Sequence, residues 1–260
     1  YVKRSLINGD VLPNDIVRKN KKFTPIHLGV FHRNHTLIDV AINAGSNMNY
    51  ISECGTPLHM ACRLGCVIII TKLLKAGASP NCAYIIKAPD EGIMSLKRIF
   101  PIAIILCEAK INKTEKAKCL QALINYGANI KKKLRAKHPL GTYTHESPLK
   151  IAALYGLYDC VKVLIDSGAK VNAGNRYLQT SLHIACYWGY SDIVELLINY
   201  CDLTLLDNNK KSALHLACSQ LHEECLEVIL KKCKTNINKI NKFGVPPLAY
   251  AVAHQDNRIV

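Results

Sequence analysis

The chain lacks what a catalyst or a membrane protein would need. No apolar run approaches the roughly 18 residues of a membrane span; Val67-Ile68-Ile69-Ile70 is soon followed by Lys72. There is no phosphate-cradling loop, no Gly-x-Ser-x-Gly elbow and no His-Glu-x-x-His pair, so the chain reads as a non-enzyme. No secretory leader opens it. Tryptophan occurs once, at Trp188. Acidic residues are few: 19 Asp and Glu stand against 34 Lys and Arg, a net charge of +15.

What the chain has in abundance is one phrase. Thr24-Pro25-Ile26-His27 returns as Thr56-Pro57-Leu58-His59-Met60-Ala61 and as Ser147-Pro148-Leu149-Lys150-Ile151-Ala152. It comes again as Thr180-Ser181-Leu182-His183-Ile184-Ala185 and Ser212-Ala213-Leu214-His215-Leu216-Ala217. With the proline slot as anchor, the positions are Pro25, Pro57, Pro101, Pro148, Ser181, Ala213 and Pro247, separated by 32, 44, 47, 33, 32 and 34 residues. Twenty residues after the anchor stand Gly45, Gly77 and Gly168, with Cys201 and Cys233 in that slot later. A fixed period marks the recurring residues as architectural and leaves function to those that vary.

Each unit reads as two short helices and an extended connector. The Thr or Ser before the anchor caps the first helix, and proline suits the first helical position, where no N–H is missed. The later glycine ends the second helix in a left-handed conformation. Helices this short bury no core alone, so neighbours must stack.

These residues resemble the ankyrin repeat over nearly the whole chain, most closely at Thr56 to Asn81 and Ser147 to Asn172. The resemblance implies an all-α solenoid of stacked helix-turn-helix units with hairpin-like connectors. It implies one array over 1–260, with repeats at about 20–51, 52–83, 96–130, 143–175, 176–207 and 208–241 and partial units at 1–19 and 242–260. The third copy is the divergent one: Phe100-Pro101-Ile102-Ala103-Ile104 replaces the phrase, and Gly127 follows its anchor by 26 residues, with the extra residues expected near Ala109 to Glu115. Tyr1 is not a methionine and the last unit opens at Pro247 and stops at Val260, so the chain is expected to be part of a longer protein.

The register also assigns the residues that might have carried chemistry. His27, His59, His183 and His215 share one slot, which Lys150 takes in another copy. In the family this histidine bonds connector backbone, so a structural role is expected. Of the 12 cysteines, Cys62, Cys186 and Cys218 share one slot, and Cys119, Cys160 and Cys225 another. Equivalent slots point to small core residues, reduced and packed, and thus to a cytoplasmic or nuclear setting. Zinc-ligand spacing is absent, and no metal or cofactor is expected.

Binding is what remains. The resemblance implies that first helices and connectors line a concave side, where the variable pairs before each inter-helix turn face outward. These are Phe31-His32, Arg63-Leu64, Leu154-Tyr155, Tyr187-Trp188 and Ser219-Gln220, and the connector residues Arg176, Tyr177, Asn209 and Lys211 extend the same surface. Aromatics and arginine dominate binding energy at interfaces, so the expected partner is a protein segment carrying apolar and acidic side chains. Ankyrin arrays include adaptors and the substrate receptors of ubiquitin ligases, in which a C-terminal box docks the cullin machinery. A second reading gives the basic residues Lys131, Lys132, Lys133, Arg135 and Lys137 a nucleic acid or a phosphorylated ligand. A third makes the chain a structural module of a channel, a cytoskeletal protein or a toxin. The long connectors Ala83–Arg98 and Ile130–Glu146 are expected side by side, as a gripping element or as tolerated insertions.

Overall fold

A computed structural model describes residues 2–17, 22–87, 96–137, 143–232 and 237–253. The chain divides into two compact units, Tyr1–His145 and Glu146–Val260. The segment Pro89-Asp90-Glu91-Gly92 and the slot residue Cys233 lie outside the described residues.

In the first unit, α1 (Val2–Asn8), α2 (Pro25–Phe31), α3 (His35–Asn43), α4 (Pro57–Leu64) and α5 (Val67–Lys75) follow in order. Helix α2 packs on α3 and α4, and α4 packs on α5. Phe23, Ile26, Ile38, Leu58, Ile69, Ile70 and Leu73 are fully buried between them. The third copy differs from its neighbours. A short helix α6 (Pro101–Ala103) widens at once into a π-helical turn, Ile104–Glu108, closed by Ala109 N–H donating to Ile104 O at 2.8 Å. Helix α7 (Lys113–Asn125) then runs 13 residues, where α3 and α5 have nine. The extra residues are therefore shared among the π turn, a short link and a longer second helix. Asn112 starts α7 by accepting from Glu115 N–H at 2.7 Å.

The long connectors are antiparallel hairpins. β1 (Tyr84–Lys87) pairs with β2 (Leu96–Ile99), Tyr84 opposite Ile99. β3 (Leu134–Lys137) pairs with β4 (Tyr143–Glu146), and β2 lies beside β3. Leu134 and Ala136 are buried while Arg135 is half-buried and Lys137 exposed, the period-two alternation of a strand with one face on a core.

In the second unit, α8 (Pro148–Leu154), α10 (Ser181–Trp188), α12 (Ala213–Ser219) and α14 (Pro247–Ala253) stack in one series. Helices α9 (Tyr158–Asp166), α11 (Ser191–Ile198) and α13 (Glu223–Lys232) stack in a second. Cys160, Leu164, Ile193, Val194, Leu197 and Cys225 fill the space where the second series meets the first.

The repeated phrase works as a capping device. Thr56, Thr180 and Ser212 hydroxyls accept from the N–H of His59, His183 and His215 at 3.4–3.5 Å. Each histidine Nδ1 accepts in return from the cap residue's own N–H, at 3.3, 3.3 and 3.1 Å. That fixes the tautomer: Nε2 carries the proton and donates to the next connector, from His59 to Ile99 O (3.1 Å), His183 to Lys211 O (3.2 Å) and His215 to Val245 O (3.2 Å). His27 reaches Gly55 O in the same way. The second helices close on left-handed Gly45, Gly77, Gly127 and Gly168. Cys201 holds that slot without a left-handed backbone, its N–H returning to Leu197 O at 3.0 Å.

Asparagines stitch successive loops of the first unit. Asn49 Nδ2 donates to Gly77 O (3.3 Å) while its Oδ1 accepts from Ser79 N–H (2.8 Å). Asn81 repeats the pair one copy later, donating to Gly127 O and accepting from Asn129 N–H, both at 2.8 Å.

Candidate functional site

The residues singled out for binding fall into three groups. In the first unit, Phe31, Arg63 and Leu64 meet around a cavity of about 310 Å³, completed by Glu53, Cys54, Met60 and Tyr84. Phe31 ends α2 and is exposed, with the His32 ring edge-on to it at 5.0 Å. Arg63 and Leu64 end α4. Tyr84 opens the first hairpin, and its ring stands edge-on to the buried His59 at 4.9 Å.

Arg63 is held in place at every nitrogen. Its Nη1 donates to Cys54 O at 2.7 Å, its Nη2 to the Tyr84 hydroxyl, and its Nε to Glu108 Oε2 at 3.3 Å. The guanidinium also lies 5.4 Å from the Tyr84 ring centre. A guanidinium fixed by a loop carbonyl, a hairpin phenol and a carboxylate from the π turn forms a rigid wall, not a mobile probe. Burial raises the Tyr84 phenol above its ordinary range despite the neighbouring Arg63, so it stays protonated at neutral pH. The result is a mainly apolar recess with two charged residues, Arg63 and Glu53, in its lining.

In the second unit, Tyr187 and Trp188 end α10 with their rings perpendicular and 5.4 Å apart. Their helix end is fixed by a close approach. Gly189 has φ +74°, and a Cβ there would stand 2.6 Å from the His222 ring. His222 Nε2 donates to Tyr187 O at 3.2 Å. The same device recurs at Gly65, after Leu64, where Ile111 leaves no room for a Cβ. It is found again at Gly156, after Tyr155, where the Tyr190 ring does so. The helix ends at Leu64, Tyr155 and Trp188 are thus braced by the next copy's inter-helix turn. Tyr155 caps the end of α8 and is half-buried.

Leu154 requires correction. It is 3% exposed, because all seven residues of α8 are buried, and it belongs to the core and not to an open surface.

The connector residues are only partly free to meet a partner. Arg176 and Tyr177 are exposed, the guanidinium 4.7 Å from the Tyr177 ring centre. Asn209 is exposed, its N–H given to Asp207 Oδ1 at 2.8 Å. Lys211 is half-buried, with Nζ 4.7 Å from the Tyr250 ring centre.

The basic stretch forms the third group. Lys131, Lys132 and Lys133 precede β3 and are exposed, although Lys132 Nζ lies 4.1 Å from the Phe100 ring centre. Arg135 and Lys137 follow on the outward face of β3.

Sequence reasoning missed Tyr84, Met60, Glu108 and the bracing residues Ile111, Tyr190 and His222. Tyr84 was within reach: Tyr84-Ile85-Ile86-Lys87 and Leu96-Lys97-Arg98-Ile99 are β-prone runs flanking a turn-rich segment. The braces had no such signal.

Among the described residues no helix is long and apolar enough to cross a membrane, and no group of three or more His, Cys, Asp or Glu is placed to hold a metal ion.

Comparison with known proteins agrees with this architecture. The family description "Ankyrin repeats (3 copies)" matches residues 106–207 and 182–260, and "Ankyrin repeat" matches 55–84. The chain is 34% identical over 96 residues to the mouse (Mus musculus) Ankyrin repeat and SOCS box protein 11, covering 36% of this chain and 27% of that protein. It is 34% identical over 100 residues to a Caenorhabditis elegans Transient receptor potential cation channel subfamily A member 1 homolog, covering 34% of this chain and 8% of that one. The chain therefore spans less than a third of the length of these curated relatives. Among solved structures, the human ASB11 ankyrin repeat domain superposes with TM-score 0.65 at 21% identity, over 88% of this chain and 92% of that one. The Bcl-3 ankyrin repeat domain gives 0.68 at 19%, over 91% and 96%. The capping phrase, the two series of stacked helices and the matched span lead to one conclusion: the chain belongs to the ankyrin-repeat family.

Proposed function

We propose that this chain is a protein-binding adaptor that holds a partner segment by apolar anchors on Phe31, Leu64 and the Arg63–Tyr84 wall. The observation that carries this reading is the 310 Å³ recess in the first unit, where Phe31 and Leu64 line a cavity walled by the Arg63 guanidinium with its partners already in place. A pre-formed pocket of this kind loses little side-chain entropy on binding, so most of the contact energy is available for affinity. The exposed aromatics Tyr177, Tyr187 and Trp188 and half-buried Tyr155 supply further contacts in the second unit. No catalytic role is assigned.

The relatives narrow the reading. One is named as an Ankyrin repeat and SOCS box protein and another, 40% identical over 62 residues and from Oryza sativa, as a probable E3 ubiquitin-protein ligase. Those names support the reading that the adaptor serves a ubiquitin-ligase complex as the part that selects the substrate, in the cytoplasm or nucleus.

The test is affinity purification with the wild-type chain and the Phe31→Ala/Leu64→Ala variant, its folding checked by circular dichroism. Partners retained by the wild type should be lost by the variant. Recovery of the same set at the same level sinks the reading. The ligase assignment is tested separately, by whether the full-length protein co-purifies with a cullin.

The exposed cations Lys131, Lys132, Lys133 and Lys137 favour one rival, an anionic polymer as ligand. Filter binding of RNA at two salt concentrations decides it, since each neutralised phosphate steepens the salt dependence.

A further inference from the structure

Cys66 and Cys119 come together behind one side of the recess, where α5 packs on α7. Cys119 is fully buried, and its Sγ donates to Gly65 O at 3.5 Å. That carbonyl belongs to the peptide unit that joins Gly65 to Cys66. In a planar trans peptide the oxygen stands roughly 2.8 Å from the next Cα, so the Cys119 sulfur is no more than about 6 Å from the Cys66 Cα. A disulfide bridges Cα atoms roughly 4.4–6.8 Å apart, a separation that this contact brings within reach.

The register gives the two thiols different standing. Cys119 shares its slot with Cys160 and Cys225 and belongs to the core. Cys66 is the N-cap of α5, a slot held in other copies by Asn34, Leu157, Tyr190 and His222. Its side chain makes no cap hydrogen bond, so the thiol does no capping work there. No other two successive copies carry a cysteine in both slots. Cys66 is half-buried, within reach of a small oxidant, whereas Cys119 is sealed. Burial, then the nearby Glu115 and Cys66, push Cys119 up to about 12, so it stays a thiol at neutral pH.

We propose that Cys66 and Cys119 are a peroxide-responsive dithiol, a modification site whose closure loosens the Arg63–Leu64 side of the recess.

The chemistry runs in two steps. Hydrogen peroxide passes one oxygen to the Cys66 sulfur as its O–O bond breaks, leaving a sulfenic acid and one water. The Cys119 sulfur then attacks the Cys66 sulfur. The S–O bond breaks, the S–S bond forms, and the Cys119 proton leaves with the hydroxyl as a second water. The two thiols are oxidised to one disulfide and the peroxide is reduced to water. Because Cys119 is held as a thiol, closure is the slow step.

Closure removes the hydrogen that Cys119 gives to Gly65 O. Gly65 is left-handed at φ +65°, lies against Ile111, and directly follows Leu64. The remaining bonds of this turn are long: Gly65 N–H to Cys62 O at 3.2 Å and Cys66 N–H to Ala61 O at 3.4 Å. Little else holds the turn in place once the thiol has gone.

The test treats the reduced full chain with hydrogen peroxide and maps it by mass spectrometry. Non-reducing digests should yield two peptides joined through Cys66 and Cys119, separated again by dithiothreitol. Dimedone present from the start should label Cys66 and prevent the joined pair. Cys66→Ser should abolish the pair, and Cys62→Ala should leave it. Amide exchange in the segment from Arg63 to Cys66 should rise by about threefold or more on closure. Oxygen added at Cys66 with no joined peptides overturns the pairing, as does a bridge from Cys119 to Cys62 or between two copies. A joined pair with unchanged exchange overturns the link to the recess. These outcomes do not depend on partner capture, so the adaptor reading is tested apart from them.

Discussion

Lys150 Nζ lies 3.4 Å from Glu146 Oε2, with side-chain exposures of 2% and 9%. Lys150 stands in the histidine slot and does the histidine's work, donating to the Ala173 carbonyl of the next connector at 3.2 Å. The histidine is neutral when it does this, whereas the lysine brings a charge. Glu146 compensates it and is itself held by Asn175 Nδ2 at 3.0 Å.

Removing one partner of a buried pair leaves the other charge stranded, at a cost of about 3–5 kcal/mol. Glu146→Gln should destabilise the second unit by that order in urea unfolding. Lys150→His restores the residue used elsewhere, so adding it to Glu146→Gln should recover much of the loss. An additive double-mutant cycle would show that the two residues do not act as a pair.

Acid should act through the capping histidines. Burial lowers His27 and His59 from 6.5 to about 4, and lowers His183 and His215 as well. A proton on Nδ1 would face the cap residue's N–H, so the charged form also loses a hydrogen bond. The folded value lies below the unfolded one, so the unfolded chain binds protons first. The stabilisation is whole above pH 6.5 and is lost as the pH falls toward 4. For His27 and His59 the loss is on the order of 3 kcal/mol each. Melting temperatures at pH 7.5, 6 and 5 should fall in that order, and a flat series would contradict the burial of these imidazoles in neutral form.

Thiol chemistry should divide the cysteines by burial. Burial pushes Cys119 up to about 12 and Cys218 and Cys225 up to about 11, with Cys62 and Cys186 also raised. A thiol, unlike a thiolate, is a poor nucleophile. At pH 8, Ellman's reagent should modify half-buried Cys54, Cys66 and Cys82 first. The six buried thiols, Cys160 included, should react only with denaturant present. Early modification of Cys62 or Cys186, read by mass spectrometry, would place them outside the core.

Gly189→Ala should disturb both fold and recognition. The new Cβ would displace His222, and its backbone is left-handed, so a loss of about 1–3 kcal/mol is expected. If His222 braces the Tyr187–Trp188 pair, tryptophan fluorescence should shift in the native state. An unchanged spectrum would show that the brace does not reach the indole.

Much of this fold could be read from recurrence. Thr56, Pro57 and His59 perform one task in one place, and each repetition confirms the last. The outward residues were legible only as register positions. Phe31, Arg63 and Leu64 converge, but Leu154 at the same register is buried, because neighbouring helices decide burial at a helix end. Tyr84 reaches Arg63 through a hairpin that interrupts the period, where the register offers no guide. Glu146 was invisible for a similar reason: the slot announces Lys150, while its counter-ion belongs to one copy alone.

The asparagine stitches make the seams of the first unit depend on single amide groups. Asn81 holds its loop by offering a hydrogen to Gly127 O and an oxygen to Asn129 N–H, each at 2.8 Å. Deamidation would turn the nitrogen into an oxygen facing another oxygen, and the seam would open at that copy. Losing that one nitrogen would part neighbouring loops while the helices beneath stay paired.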